Sequence, residues 1–204
     1  GEINLAKVTP KDAQNFTDDD TFTVYDMKTA DYRGILYNFN NEFWQRNKDA
    51  IPAISYAIDR QKMVDSVLLG EGIVAYGPLQ RNKYNKAYVE KYSYDPAKAK
   101  ELLKKAGWTD TDGDGYVDKN GKKLTIRWLT YPSRQELPLL AESVQATMKA
   151  VGIDIQVNCT ANHQDYLDKG DWDIFAGAFV SAPTGDPEYF FTTHCLDSST
   201  KNSG

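Results

Sequence analysis

The 204 residues carry a formal charge of −5 at pH 7, with 41% hydrophobic and 26% charged side chains. That balance fits one globular unit, long enough to bury a core without staples. With no basic run it excludes nucleic acid and anionic membrane surfaces as partners, and no apolar run reaches membrane-spanning length. Aromatic residues make up 12%, Tyr the commonest, which suits core filling or an aromatic-lined cleft. Gly1 and the closing "KNSG" read as cuts through a longer polypeptide.

In chain order, "TFTVYDM" and "GILYNFN" predict early strands. "AIPAISYAI" predicts a helix with Ile51, Ile54, Ala57 and Ile58 at helical spacing. Asp59 caps a second helix, "RQKMVDSVLL", that ends at Gly70. "EGIVAYGPLQRNKYNKAYVEKYSY" has no clean period and reads as a long ordered loop. Asp95-Pro96 opens a helix through "AKAKELLKKA", and Gly107 closes it. Ser133 and Glu136 form a capping box before a helix carrying Leu137, Leu140, Ala141, Val144, Met148 and Val151 on one stripe, stopped by Gly152. "LTIRWLT", "IDIQVN" and "DWDIFAGAF" predict strands, the last preceded by a short "QDYLDKG" helix. This strand-helix-strand-helix-strand order predicts an α/β fold, a mixed sheet with helices on both faces.

The stretch "DTDGDGYVD" has the pattern of a calcium loop. Asp110, Asp112 and Asp114 occupy positions 1, 3 and 5, Gly115 position 6, the Tyr116 carbonyl position 7 and Asp118 position 9. Position 12 is Gly121, where a helix-loop-helix calcium hand uses a bidentate Glu, and a strand follows. The expectation is a structural Ca²⁺ site or an Asp/Gly turn without metal. Cys159, Cys195, His163 and His194 all fall in the last quarter. They allow a Cys159–Cys195 disulfide, two free thiols or a zinc site.

The motifs "ISYAIDRQKMVDSVLLGEG", "AYGPL" and "YSYDPAKAKELLKKAGWTDTDGDGYVDKNGKKLTI", with the later "KGDWDIFAGAF" and "GDPEYFF", resemble the extracytoplasmic solute-binding proteins of the peptide/nickel class that feed ABC importers. The resemblance runs over essentially the whole chain. It implies that residues 1–204 form one lobe, lobe II, of a periplasmic-binding-protein-like pair whose other lobe is absent. It also implies an extracytoplasmic location, in the periplasm or as a cell-surface lipoprotein, a monomeric state, and an ABC permease and a small-molecule ligand as partners. Such a lobe is expected to fold alone and to bind ligand weakly or not at all without its partner. In the family the D-G-D-G turn links a helix to a strand away from the ligand.

The resemblance places the ligand-binding segment after the last core strand, at Ser181, Pro183, Thr184, Asp186, Tyr189 and His194. Peptide-binding members carry an Asp ahead of "G-D-P" that pairs with the peptide amino terminus; here Pro183 and Thr184 stand there. Nickel-binding members resemble "SAP" followed by "DP" with a ligating His beyond, so His194 is the candidate nickel ligand, though it lies nearer the "DP" than the family's His. A nickel or related metal chelate is the favoured cargo and a short peptide the alternative. Asp186 is expected to cap the following turn, Tyr189 to line the cleft and Phe190 to join the core. No "G-x-S-x-G", "H-E-x-x-H" or glycine-rich phosphate loop appears, so a binder that needs no cofactor is expected rather than a hydrolase.

Overall fold

The structure, a computed structural model, describes residues 3–80, 91–181 and 184–196. Its elements are α1 (Pro10–Ala13), β1 (Asp31–Tyr37), α2 (Glu42–Arg46), a 3₁₀ turn (Lys48–Ala50), α3 (Ile51–Ala57), α4 (Arg60–Ser66) and α5 (Pro96–Lys105). Then follow β2 (Asp118–Lys119), β3 (Lys122–Lys123), β4 (Thr125–Thr130), α6 (Glu136–Lys149), β5 (Asp154–Cys159), α7 (His163–Lys169), β6 (Ile174–Val180) and α8 (Glu188–His194). Local chemistry starts and stops the helices. The Asp59 side chain accepts from the Lys62 amide and Asp95 from the Lys98 amide, each satisfying a first-turn donor. Gly107 and Gly152, with φ of 85° and 84°, make the left-handed exits after α5 and α6.

The main sheet has the order β1-β6-β4-β5. β4 runs parallel to β5, from Thr125 opposite Asp154 to Thr130 opposite Cys159. It runs parallel to β6 through Trp128 and Leu129. β1 is antiparallel to β6, from Asp31 opposite Val180 to Tyr37 opposite Ile174. The sheet is therefore mixed, as read from the sequence, with β1 and β5 at its edges.

Alternation along the strands sorts two cores. Ile126, Trp128, Ile155, Ile174 and Ala176 pack with Ile54, Leu103, Val144 and Met148 of α3, α5 and α6. Leu129, Phe175 and Phe179 pack on the other face with Trp172, with Tyr166 and Leu167 of α7, and with Phe190 of α8. Helices thus cover both faces.

A buried polar corner ties the foot of the sheet together. Asp173 is 5% exposed. Its carboxylate accepts from the Arg127 amide at 2.8 Å, from Arg127 Nε and Nη2 at 3.1 and 2.9 Å, and from Asn41 Nδ2 at 2.5 Å. Its backbone carbonyl accepts from Trp44 Nε1 at 2.8 Å and from the Asn38 amide at 3.0 Å. Arg127 also pairs with Asp171. This corner delays the start of β6 to Ile174, three residues later than "DWDIFAGAF" suggests.

Three expectations need correction. Residues 21–27 form no strand, and Phe22, Val24, Tyr25 and Met27 are exposed. A strand needs a partner, and among the described residues no strand pairs with 21–27, the outer edge of β1 included. Ser133 is not a cap: α6 begins at Glu136 with no side-chain cap at Gln135. The Glu136 carboxylate is instead paired with Arg33 at 2.5 Å, through Oε1. The helix after Asp59 stops at Ser66, because Leu69 (φ 53°) and Gly70 (φ 85°) turn the chain left-handed. In the predicted long loop, residues 71–80 and 91–94 carry no helix or strand, and 81–90 lie outside the described residues.

Candidate functional site

The parallel strands β4 and β5 end together at Thr130 and Cys159, while β6, level with Leu129 at Phe175, runs on to Val180, where the antiparallel β1 enters beside it at Asp31. Open α/β sheets bind ligands outside this carboxyl edge, where loops diverge and backbone groups lack ladder partners. Ser181 sits there, 6% exposed. Its hydroxyl donates to the Ala30 carbonyl at 2.7 Å, so it pins the chain entering β1. Pro183 lies outside the described residues. Thr184 is exposed, and Gly185 (φ 81°) makes the turn into α8. The Asp186 carboxylate accepts from the Glu188 amide at 2.9 Å, which is the turn-capping role expected of it.

Along α8, Tyr189 is 40% exposed while Phe190, 8% exposed, joins the core as expected. His194, the last residue of α8, meets Phe179 edge-on with centroids 4.9 Å apart and lies 5.2 Å from Phe190. The candidate residues therefore divide. Ser181 lines a groove that opens along β1 and α6, whereas Thr184, Asp186, Tyr189 and His194 do not line it.

Two features of this edge escape sequence reading. Arg33 of β1 holds Glu136 at the start of α6 through Nε and Nη2 at 2.6 and 2.5 Å, with Asp31 at 3.4 Å. Tyr131, just past β4, accepts from the Ala178 amide at 3.1 Å and stacks on His163 with centroids 4.3 Å apart. Neither pairing has a local signal, since Arg33 and Glu136 are 103 positions apart.

The acidic loop lies away from this edge, between α5 and β4. Carboxylate oxygens of Asp110, Asp112 and Asp118 lie within 4.8 Å of one another. Each is also used by the loop itself. Asp110 accepts from the Gly113 and Gly115 amides at 2.8 and 3.0 Å, Asp112 from the Asp114 amide at 3.2 Å, and Asp118 from the Thr111 amide at 2.8 Å. Asp114 turns to Lys123, 2.5 Å away, whose hydrogen bond holds its carboxyl below the ordinary range. The Val117 amide donates to the Gly152 carbonyl at 2.7 Å and docks the loop onto the α6–β5 connection. Calcium asks for roughly six to eight oxygens. The three clustered carboxylates fit one side of such a shell, and backbone or water must supply the rest.

Residues 1–202 match the sequence profile of the bacterial extracellular solute-binding proteins, family 5, middle region. The chain belongs to this family. It is 33% identical over 159 residues to the oligopeptide-binding protein AppA of Bacillus subtilis, covering 76% of this chain and 29% of AppA. It is 28% identical over 172 residues to the nickel-binding protein NikA of Staphylococcus aureus, covering 80% of this chain and 32% of NikA. Among solved structures, Campylobacter jejuni NikZ in complex with Ni(L-His) superposes with a TM-score of 0.81 at 28% identity, covering 96% of this chain and 38% of NikZ. B. subtilis AppA in complex with a nonapeptide gives 0.76 at 27% identity, covering 92% and 38%. The family 5 chain thus spans about a third of the length of these curated relatives.

In this family 5 chain, no helix among the described residues is long and apolar enough to cross a membrane. Cys159 and Cys195 stand as free, exposed thiols, one of the arrangements the sequence allows. Cys159 ends the edge strand β5 with the parity of Ile155 and Val157, which face α6, whereas Cys195 follows α8 on the opposite face. Partial burial holds both thiols above the ordinary cysteine value. The zinc alternative fails for the same geometric reason. Among the described residues the loop trio is the only group of three or more His, Cys, Asp or Glu close enough to share an ion.

Proposed function

We propose that the chain is one lobe of a two-lobed binding component of a peptide/nickel-class ABC importer, which captures nickel or a related metal chelate. The second lobe lies in the part of the polypeptide that the relatives carry and this chain does not. Capture is by closure of two lobes around the ligand, driven by contacts made only in the closed state. The loaded monomer then docks on a membrane permease from the extracytoplasmic side, free in the periplasm or held as a lipoprotein. The chain's chemistry is binding and needs no cofactor. A Ca²⁺ ion held by Asp110, Asp112 and Asp118 would have a structural part, fastening the turn between α5 and the sheet.

The observation that supports the metal reading is the chemistry of the segment leaving β6. Its acid, Asp186, is engaged by the Glu188 amide, Thr184 stands where a peptide binder carries an anchoring carboxylate, and the imidazole of His194 closes α8. The likeness to NikZ with its Ni(L-His) complex points the same way. A short peptide is the second reading, favoured by the 33% identity to AppA.

Calorimetric titration of the full-length protein with Ni²⁺–L-histidine and with a tripeptide mixture separates the two. The metal reading expects tight binding of the nickel complex and at least a tenfold loss in His194→Ala. Tight peptide binding with no heat from nickel would sink it.

A further inference from the structure

A cavity of about 1540 Å³ forms a groove beside β1, between α4 and α6. Its walls are Met63 and Val67 from the α4 side and Leu137, Leu140 and Val144 from α6; Trp128, Ala176 and Ile35 of the sheet also line it. Five of the exposed large apolar side chains converge on it: Val8, Met27, Leu69, Ile73 and Leu139, between 40% and 78% exposed. Apolar surface gathered in one concave place is costly in water and marks a surface that something else covers.

The strand geometry adds a second, independent observation. Residues 31–35 of β1 all line the groove, so the strand presents its edge to it rather than one face. Among the described residues that edge has no partner strand. Open edges invite association unless covered by a helix or loop. On this face of the sheet α6 packs over β5 and β4, and among the described residues no helix packs as closely over β1.

We infer that this groove is the seat of an amphipathic helix supplied by the part of the polypeptide outside these 204 residues. The volume fits: a helix of ~10 Å diameter rising 1.5 Å per residue fills roughly 120 Å³ per residue, so the groove accepts three to four turns. The walls are themselves helices, and helices pack at ~8–10 Å between axes. The relatives have chain to spare, since this one spans 29% of AppA and 32% of NikA. The helix carries an apolar stripe inward. Its flanks meet a rim of both signs, with Lys28, Arg60 and Arg134 set against Asp26, Glu71 and Glu142. The groove is thus an internal joint of the lobe, and of the candidate ligand-binding residues Thr184, Asp186, Tyr189 and His194 lie outside it, with Ser181 alone at its border.

The test uses the full-length protein. With p-benzoylphenylalanine in place of the exposed Leu139, photolysis is expected to join position 139 to a peptide from outside these 204 residues. Joining within residues 1–204, to a second copy of the protein, or to no peptide at all would overturn the inference. A second measurement needs no substitution. Hydroxyl-radical labelling of Leu139 and Ile73 is expected to be at least tenfold slower in the native full-length protein than after unfolding. Rates within about twofold would mean that the groove stands open, and the inference fails whichever ligand the protein binds.

Discussion

At the foot of the sheet the carboxylate of Asp173, 5% exposed, accepts four hydrogen bonds, three from Arg127 and one from Asn41. In the loop between α5 and β4, Asp110, Asp112 and Asp114 stand exposed and bond mainly to the amides of their own turn. The two regions use the same group for different ends. A buried carboxylate has lost its water, so each protein donor it meets is needed and its loss leaves an orphaned partner. An exposed carboxylate can exchange a protein donor for water at little cost, so the loop's acids shape a turn without anchoring the fold.

The largest effect should therefore come from the corner. We predict that Asp173→Ala destabilises the protein by about 3 kcal/mol, in the range for breaking a buried ion pair by removing one partner. Arg127 keeps Asp171 and remains partly solvated, which keeps the loss from being larger. Asp112→Ala in metal-free buffer should stay within about 0.5 kcal/mol, as surface substitutions do. Urea midpoints of the two variants measure the contrast. Equal shifts would break it and would place the loop within the load-carrying framework.

What the sequence disclosed and what it concealed divide along the same line. Helix punctuation was legible because it is local: Asp59 and Asp95 reach amides three positions on, and Gly107 and Gly152 turn the chain where they stand. The strand-helix-strand-helix-strand order from β4 to β6 was legible for the same reason. The antiparallel docking of β1 on β6, the Arg33–Glu136 pair and the Asp173 corner join residues far apart in sequence, and no period or spacing announces them. Residues 21–27 mark the opposite failure, a strand-like pattern whose ladder has no partner within the described residues. Of the candidate site, the segment after β6 was located at the carboxyl edge. That the Ser181 hydroxyl would be spent on Ala30, and that His194 would rest against Phe179 and Phe190, depended on tertiary packing.

A smaller effect tests whether the loop's acids do more than shape the turn. If Asp110, Asp112 and Asp118 hold calcium, millimolar Ca²⁺ stabilises the folded state by mass action, by about 1 to 2 kcal/mol at concentrations some tenfold above the dissociation constant. We expect the rise in the wild-type urea midpoint to vanish in the Asp110→Asn/Asp112→Asn double variant, while Mg²⁺, which demands tighter octahedral geometry, does little. No rise in the wild type would identify the stretch as a self-bonded turn and would leave the corner as the only strong carboxylate site of the two.

The smallest effect comes from the Asp114–Lys123 pair, and pH isolates it. The Lys123 hydrogen bond lowers the Asp114 carboxyl below its usual 3.8, and the same bond raises Lys123 above its usual 10.5. A lowered acid contributes stability above the unfolded value and loses it as pH falls through the folded one. A raised amine contributes below its unfolded value and loses it as pH rises through the folded one. In calcium-free buffer the difference between wild type and Lys123→Met should then be level from about pH 5 to 9. It should fall away as pH drops below the usual carboxyl value of 3.8 and as it rises above the usual amine value of 10.5, and shrink in 1 M salt, because both groups face water. Lys123 Nζ also lies 4.2 Å from the centroid of the Tyr116 ring. A difference that survives in acid, once the Asp114 carboxylate has been protonated, would show that the aliphatic stem packed on Tyr116 does the work. The loop's hold on Lys123 would then come from apolar contact rather than from charge, the opposite of the Asp173 corner.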